Sequence, residues 1–253
     1  MRPLIGITSG FQTSRDSESP AGRLYLASDY SDAVLAAGGL PLPLPVPPEP
    51  DEWLIREMLQ RVDGLLFTGG PDIDPQRYGE PRHEKTQVLH PRRESFELAL
   101  FRAADEARIP TLAICLGFQL VHVARGGRLV QHVDDLPLAP AIPHHAEQGR
   151  SAWHPVQVEP DSRLASVVQV GRGASERPEL EVNSRHHQGV LTEHGGRDLR
   201  PVAWAPDGLL EASEDLSGSR FLLAVQWHPE NLADRPEHLR LFAALVAASV
   251  QPT

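Results

Sequence analysis

The sequence predicts an α/β protein with a mostly parallel central sheet, and three observations predict it. Short apolar, partly β-branched runs alternate with amphipathic segments, the pattern of strands joined by crossover helices. One such run, residues 109–114, leads into the only cysteine, Cys115, after which residues 118–124 continue at helical spacing until Gly126-Gly127. Another, residues 62–68, empties into Gly69-Gly70-Pro71, beyond the carboxyl end of a strand, where ligands of such sheets sit.

Taken in order, residues 4–8 form a first buried strand, and residues 9–22 a polar loop, read equally as a ligand loop or a mobile surface loop. Residues 26–37 are amphipathic and stop at Gly38-Gly39. Residues 40–50 alternate proline with apolar side chains; without flanking basic residues they suit an edge strand better than a polyproline ligand. A short helix is expected over 51–61 and a longer one over 93–108, where Phe96, Leu100, Phe101 and Ala104 share a face. Residues 128–133 read as a strand and 137–149 as a proline- and histidine-bearing loop. Residues 153–159 and 199–211 read as further strands, some of them antiparallel, and 238–250 as a closing helix. With no repeats and no linker, residues 1–253 are expected to form a single domain.

Composition removes several classes of function. There are 24 Lys and Arg against 34 Asp and Glu, a net charge of −10, which is the wrong sign for a nucleic-acid surface. No run reaches the roughly 20 apolar residues of a membrane span, and the N-terminal apolar run is too short for a signal peptide. One cysteine forbids an intramolecular disulfide and fits a reducing cytoplasm. The twelve histidines include the pairs His144-His145 and His186-His187, but no His-Glu-x-x-His, and adjacent histidines point apart in extended chain. Neither a metal nor another cofactor is expected; the 144–145 pair reads as exposed loop and His154 as structural.

The chemistry concentrates at Cys115. A thiol on a strand-to-helix turn, flanked by the small Ala113 and Gly117, stands above the sheet edge at the positive end of a helix. Downstream, Gln226-Trp227-His228-Pro229-Glu230 follows another apolar run. Pro229 biases His228 toward extended backbone, where residues i and i+2 share a side, so Glu230 can reach the imidazole. Cys115, His228 and Glu230 together have the makings of a catalytic triad.

These motifs resemble those of the class I glutamine amidotransferase superfamily, with its flavodoxin-like fold. Three further stretches resemble the γ-glutamyl-γ-aminobutyrate hydrolase family, the C26 peptidase group: 69–79 from Gly69-Gly70-Pro71-Asp72, Arg93-Glu94-Ser95-Phe96-Glu97, and Val182-Asn183-Ser184-Arg185-His186-His187-Gln188. The resemblance implies hydrolysis of a γ-glutamyl amide through a cysteine thioester, with the N–H groups of Gly70 and Leu116 as oxyanion donors. It places Gly69, Gln119, Asn183, Ser184 and at least one of His186 and His187 against substrate, and gives Asp72 and Tyr78 the task of holding the loop. A small γ-glutamyl molecule is the expected partner, and a homodimer is compatible with it. Departures keep a second reading open, a glutaminase subunit feeding ammonia to a separate synthetase: Leu116 stands where the hydrolase family has Arg, Glu94 where it has Asp, and His122 where it has Asn. A non-catalytic binding protein of the same fold is the third reading.

Overall fold

The computed structural model describes residues 1–13, 22–145, 150–170 and 177–250. In chain order the strands are β1 Leu4–Thr8, β2 Gly10–Thr13, β3 Gly22–Tyr25, β4 Leu40–Leu44, β5 Gly64–Phe67, β6 Thr111–Ile114, β7 Ala152–Val158, β8 Glu179–Ser184, β9 Leu199–Trp204, β10 Leu210–Asp215 and β11 Leu222–Val225. The helices are α1 Ser28–Ala36, α2 Glu52–Leu59, α3 Pro91–Glu106, α4 Leu116–Ala124, α5 Arg163–Val168 and α6 Pro236–Ala248. One nine-stranded sheet runs in the order β4-β1-β5-β6-β11-β10-β9-β7-β8. Its β4-to-β11 half is parallel and its β11-to-β8 half antiparallel, as the sequence predicts.

Strand alternation sorts the core onto two faces. Leu66, Leu112, Ile114, Leu223 and Val225 pack with α1, α5 and α6, while Leu65, Phe67, Ala113, Leu222 and Ala224 pack with α2, α3 and α4. Each buried Leu, Val or Phe contributes about 1.5–3 kcal/mol. A one-residue slip would exchange the two sets, so the register is fixed by burial. Helix starts follow local chemistry: Asp51 Oδ1 accepts from Leu54 N–H at 2.7 Å, and Pro91 and Pro236 open α3 and α6, where a missing N–H costs nothing.

Three expectations need correction. Residues 199–211 are not one strand: β9 ends at Trp204, and the chain turns back to pair with it as β10. The stretch after β1 is not simply loop: β2 and β3 pair as an antiparallel ribbon, with residues 14–21 outside the described part. Residues 128–133 are not a strand. Only Val130 makes a bridge, to Gly189, because Gln131 turns aside to hold the loop before α3, accepting from His83 N–H at 2.8 Å and donating to Pro81 O at 2.8 Å. Among the described residues no helix is long and apolar enough to cross a membrane.

Candidate active site

The carboxyl ends of three adjacent strands, β5, β6 and β11, deliver the candidate residues to one place. Cys115 follows β6 with φ 53° and ψ −102°, a region that costs a non-glycine residue about 1–3 kcal/mol. The turn is held from below: Cys115 N–H donates to Val225 O at 2.9 Å, and Cys115 O accepts from Gln119 N–H at 3.1 Å. Gly117 is required because a Cβ there would lie 2.8 Å from both Cβ and O of Phe67 on β5. Cys115, the N-cap of α4, makes no side-chain cap.

Gly69 and Gly70 crowd the nucleophile from β5. A Cβ at Gly69 would stand 2.9 Å from Cε1 of His228 and 3.0 Å from the Tyr30 hydroxyl; one at Gly70 would meet Arg93 at 2.4 Å. Gly69 N–H donates to Tyr30 Oη at 3.0 Å, and its carbonyl accepts from Arg93 Nη2 at 3.0 Å. The peptide groups of this loop are therefore gripped on both sides. Arg93, 1% exposed, is itself anchored by Glu97 Oε1 at 2.8 Å. Glu94 accepts from Asp74 N–H and from Arg77 Nε, both at 2.7 Å, and Asp72 Oδ2 accepts from Gln87 N–H at 2.6 Å. Asp72 holds the loop; the Tyr78 hydroxyl is buried without a partner.

His228 places Nδ1 2.6 Å from Glu230 Oε1, leaving Nε2 for the Cys115 sulfur. Burial, the largest single influence, opposes a charge on the ring. Negative charge on Cys115 and Glu230 outweighs it and raises the pKa from 6.5 to about 10. The site thus holds a proton on the imidazole, against the Glu230 carboxylate. Tyr30, buried and beside Glu230, has its phenol pKa pushed well up, first by burial and then by that carboxylate, so it stays neutral. The His228 backbone is clasped by one side chain: Asn183 Oδ1 accepts its N–H at 3.0 Å and Asn183 Nδ2 donates to its carbonyl at 2.9 Å. A cavity of about 220 Å³ opens on the imidazole side, walled by Gly10 and Tyr25 of the ribbon, Asp29 and Tyr30 of α1, Gly69, Arg185, His228, Glu230 and Asn231.

The residues predicted to meet substrate fare unequally. Asn183 is spent on the His228 backbone, and Ser184 Oγ donates to His144 O. Gln119, buried, donates to Gln188 O and Gln226 Oε1 at 3.3 and 3.2 Å. His186 is buried with its ring toward Glu211, and His187 turns the other way to Asp72, 3.0 Å from Oδ2. None of these five lines the 220 Å³ cavity; Gly69 does. His144 is also corrected: it is 1% exposed, drawn inward by Asp207 at 2.8 Å, while its neighbour His145 is exposed as expected. Tyr30 and Asp29 carried no sequence signal, since α1 shows only an amphipathic pattern, and Asn231 lies one residue past the motif that ends at Glu230. Arg93 had one in its motif, a charged residue on the apolar face of α3.

The fold is that of the class I glutamine amidotransferases. The glutaminase domain of Trypanosoma brucei CTPS, solved with bound acivicin, superposes with a TM-score of 0.62 at 17% identity, covering 97% of this chain and 94% of that one. The family model of Peptidase C26 matches residues 3–230, and the chain belongs to that family. Its relatives include Rv2859c of Mycobacterium tuberculosis, whose name places it provisionally among the glutamine amidotransferases. The two are 38% identical over 250 residues, 98% of this chain and 75% of the relative. The γ-glutamyl-γ-aminobutyrate hydrolase PuuD of Escherichia coli is 36% identical over 199 residues, 74% of this chain and 71% of the relative. Membership marks the chain as a hydrolase acting on amides.

Proposed function

We propose that this chain hydrolyses γ-glutamyl amides through a thioester on Cys115. The observation that carries the reading is His228, held by Glu230 at 2.6 Å and facing the elbow thiol from the adjoining strand. Paired with the proton that His228 holds, the Cys115 sulfur attacks the γ-carbonyl carbon. The Gly70 and Leu116 N–H groups stabilise the developing oxyanion, a contribution of about 3–4 kcal/mol per donor in comparable sites. As the tetrahedral intermediate collapses, the C–N bond breaks and His228 gives its proton to the departing amine. Water, deprotonated by His228, then attacks the thioester, releasing glutamate and restoring the thiol.

Because His228 protonates the leaving nitrogen, the amine must depart on the imidazole side. The 220 Å³ cavity lies there, and its walls include the charged Asp29 and Arg185. That space supports a substituted amine over ammonia, as does the similarity to the γ-glutamyl-γ-aminobutyrate hydrolase of Escherichia coli. The test is turnover by the purified chain alone. We expect faster cleavage of γ-glutamyl-γ-aminobutyrate and other γ-glutamyl amines than of glutamine, and a γ-glutamyl adduct on Cys115 by mass spectrometry when the second step is slowed. Glutamine as the best substrate, with activity appearing only on addition of a second protein, would replace this reading with that of an ammonia-supplying glutaminase, which the apolar Leu116 favours.

A further inference from the structure

Behind His228, four separate segments converge on one buried point. His144 comes from the loop before β7, His154 from β7, His186 from just past β8, and Glu211 from β10. All four are at most 4% exposed. Glu211 stands at the register shift between Leu210 and Ala212, where an extra residue re-aims a side chain. Its Oε1 lies 3.5 Å from His144 Nδ1, 3.9 Å from His154 Nε2 and 3.4 Å from His186 Nε2, and the ligand atoms all fall within 4.8 Å of one another. These same atoms are buried without hydrogen-bond partners, as is the second Glu211 oxygen.

The opposite nitrogen of each ring is engaged. His186 Nδ1 meets Gln188 O at 2.8 Å, His154 Nδ1 meets Pro155 O at 3.2 Å, and His144 Nε2 meets Asp207 Oδ2 at 2.8 Å. A carbonyl only accepts, so His154 and His186 donate from Nδ1 and turn Nε2 toward a carboxylate. Ring nitrogens and carboxylate oxygens gathered in a dry interior with no hydrogen-bond partner suit a cation placed among them. Separations of 3.4–3.9 Å are too long for good hydrogen bonds. They are close to the edges, about 3.3 Å, of a tetrahedron with the 2.0–2.1 Å bonds of zinc to nitrogen and oxygen.

The geometry points to a metal site: His144, His154, His186 and Glu211 bind one divalent transition ion, zinc by donor type, in a closed four-coordinate cage. The Asp207 carboxylate and the two carbonyls are the outer partners that orient imidazole ligands. Spacing along the chain hides such a site, because its ligands come from distant segments. With no open coordination position, its work is positional. His186 lies three residues beyond Asn183, which clasps His228; Ser184 Oγ and His186 N–H both donate to His144 O; and Glu211 O accepts from Gln226 N–H at 2.8 Å, two residues before His228. The ion would tie these strand ends into one shelf beneath the imidazole.

The experiment uses the full chain and reads metal, not turnover, so it stands apart from the fate of the hydrolase reading. Protein dialysed into metal-free buffer should retain one equivalent of zinc by elemental analysis. After stripping with dipicolinate, added Co2+ should give the intense visible spectrum of a tetrahedral ion, and Zn2+ at a hundredfold excess over Kd should raise Tm by about 5–10 °C. Glu211→Gln and His154→Ala should lose the cobalt spectrum, whereas Cys115→Ala should keep it. Wild-type protein that leaves Co2+ with the spectrum of the aqueous ion, and takes up no zinc at micromolar concentration, would overturn the site and leave a protonated cluster in its place. So would loss of the ion in Cys115→Ala, or its retention in both ligand variants. Should the ligand variants fail to fold, the wild-type cobalt spectrum decides alone.

Discussion

At Cys115, three atoms compete for one charge. His228 is protonated to about pH 10 only because Cys115 and Glu230 lie against it. Cys115→Ala should abolish turnover and lower the His228 titration followed by NMR, because the first of those two charges is gone. Full activity in Cys115→Ala would end the thioester mechanism. Glu230→Gln keeps the ring's partner but removes the charge that stabilises imidazolium. We expect kcat/KM to fall by about 10²–10⁴-fold, and by less than in His228→Ala. Equal losses would give Glu230 a second task, through the neighbouring Tyr30.

Elements, more than residues, decide whether these groups meet. The elbow works because α4 can press against β5, and Gly117 is the contact. Gly117→Ala should drive the helix start off Phe67, destabilising the fold by about 1–3 kcal/mol in urea unfolding and lowering kcat more than KM is raised. An unchanged kcat would show that the elbow tolerates displacement. This arrangement was legible in sequence, since the apolar run, small neighbours and helical spacing are local signals. Residues 128–133 misread for the opposite reason. Their apolar pattern is genuine, but Gln131 is called away by His83 and Pro81, partners some fifty residues distant. His144 was illegible for the same reason: its burial depends on Asp207 and Glu211, far along the chain. Asn183 and Ser184 were read as substrate contacts; their tethering shows only when β8 is seen beside the loop after β11 and the loop before β7.

At the scale of the molecule, the sheet has two open edges, and β4 closes one of them chemically. Leu40 N–H donates inward to Pro3 O at 2.8 Å, so alternation turns positions 41 and 43 outward, and both are proline. That edge offers a neighbouring chain no N–H at either place. Pro41→Val with Pro43→Val should restore two outward donors and raise light scattering on mild heating; a double variant as clear as wild type would mean that the edge is protected by other means. The alternating prolines were readable as an edge strand. The other half of the sheet was less so, because antiparallel pairing is set by contacts rather than by period. Its outermost strand, β8, lies four places from β11 in sheet order, yet it ends against His228.

That meeting of Asn183 with His228 has a consequence for how the protein ages. A side-chain amide that gives one hydrogen bond and takes another from the same residue acts as a stand-in peptide group. Deamidation would turn its donor into a second acceptor, set oxygen against the His228 carbonyl, and add an anion beside the imidazole. The reaction needs the Ser184 nitrogen to attack the Asn183 side chain, a geometry that an extended, buried strand denies. Loss of activity in storage by this route can proceed only when the end of β8 opens, so its rate would measure how often that strand lets go.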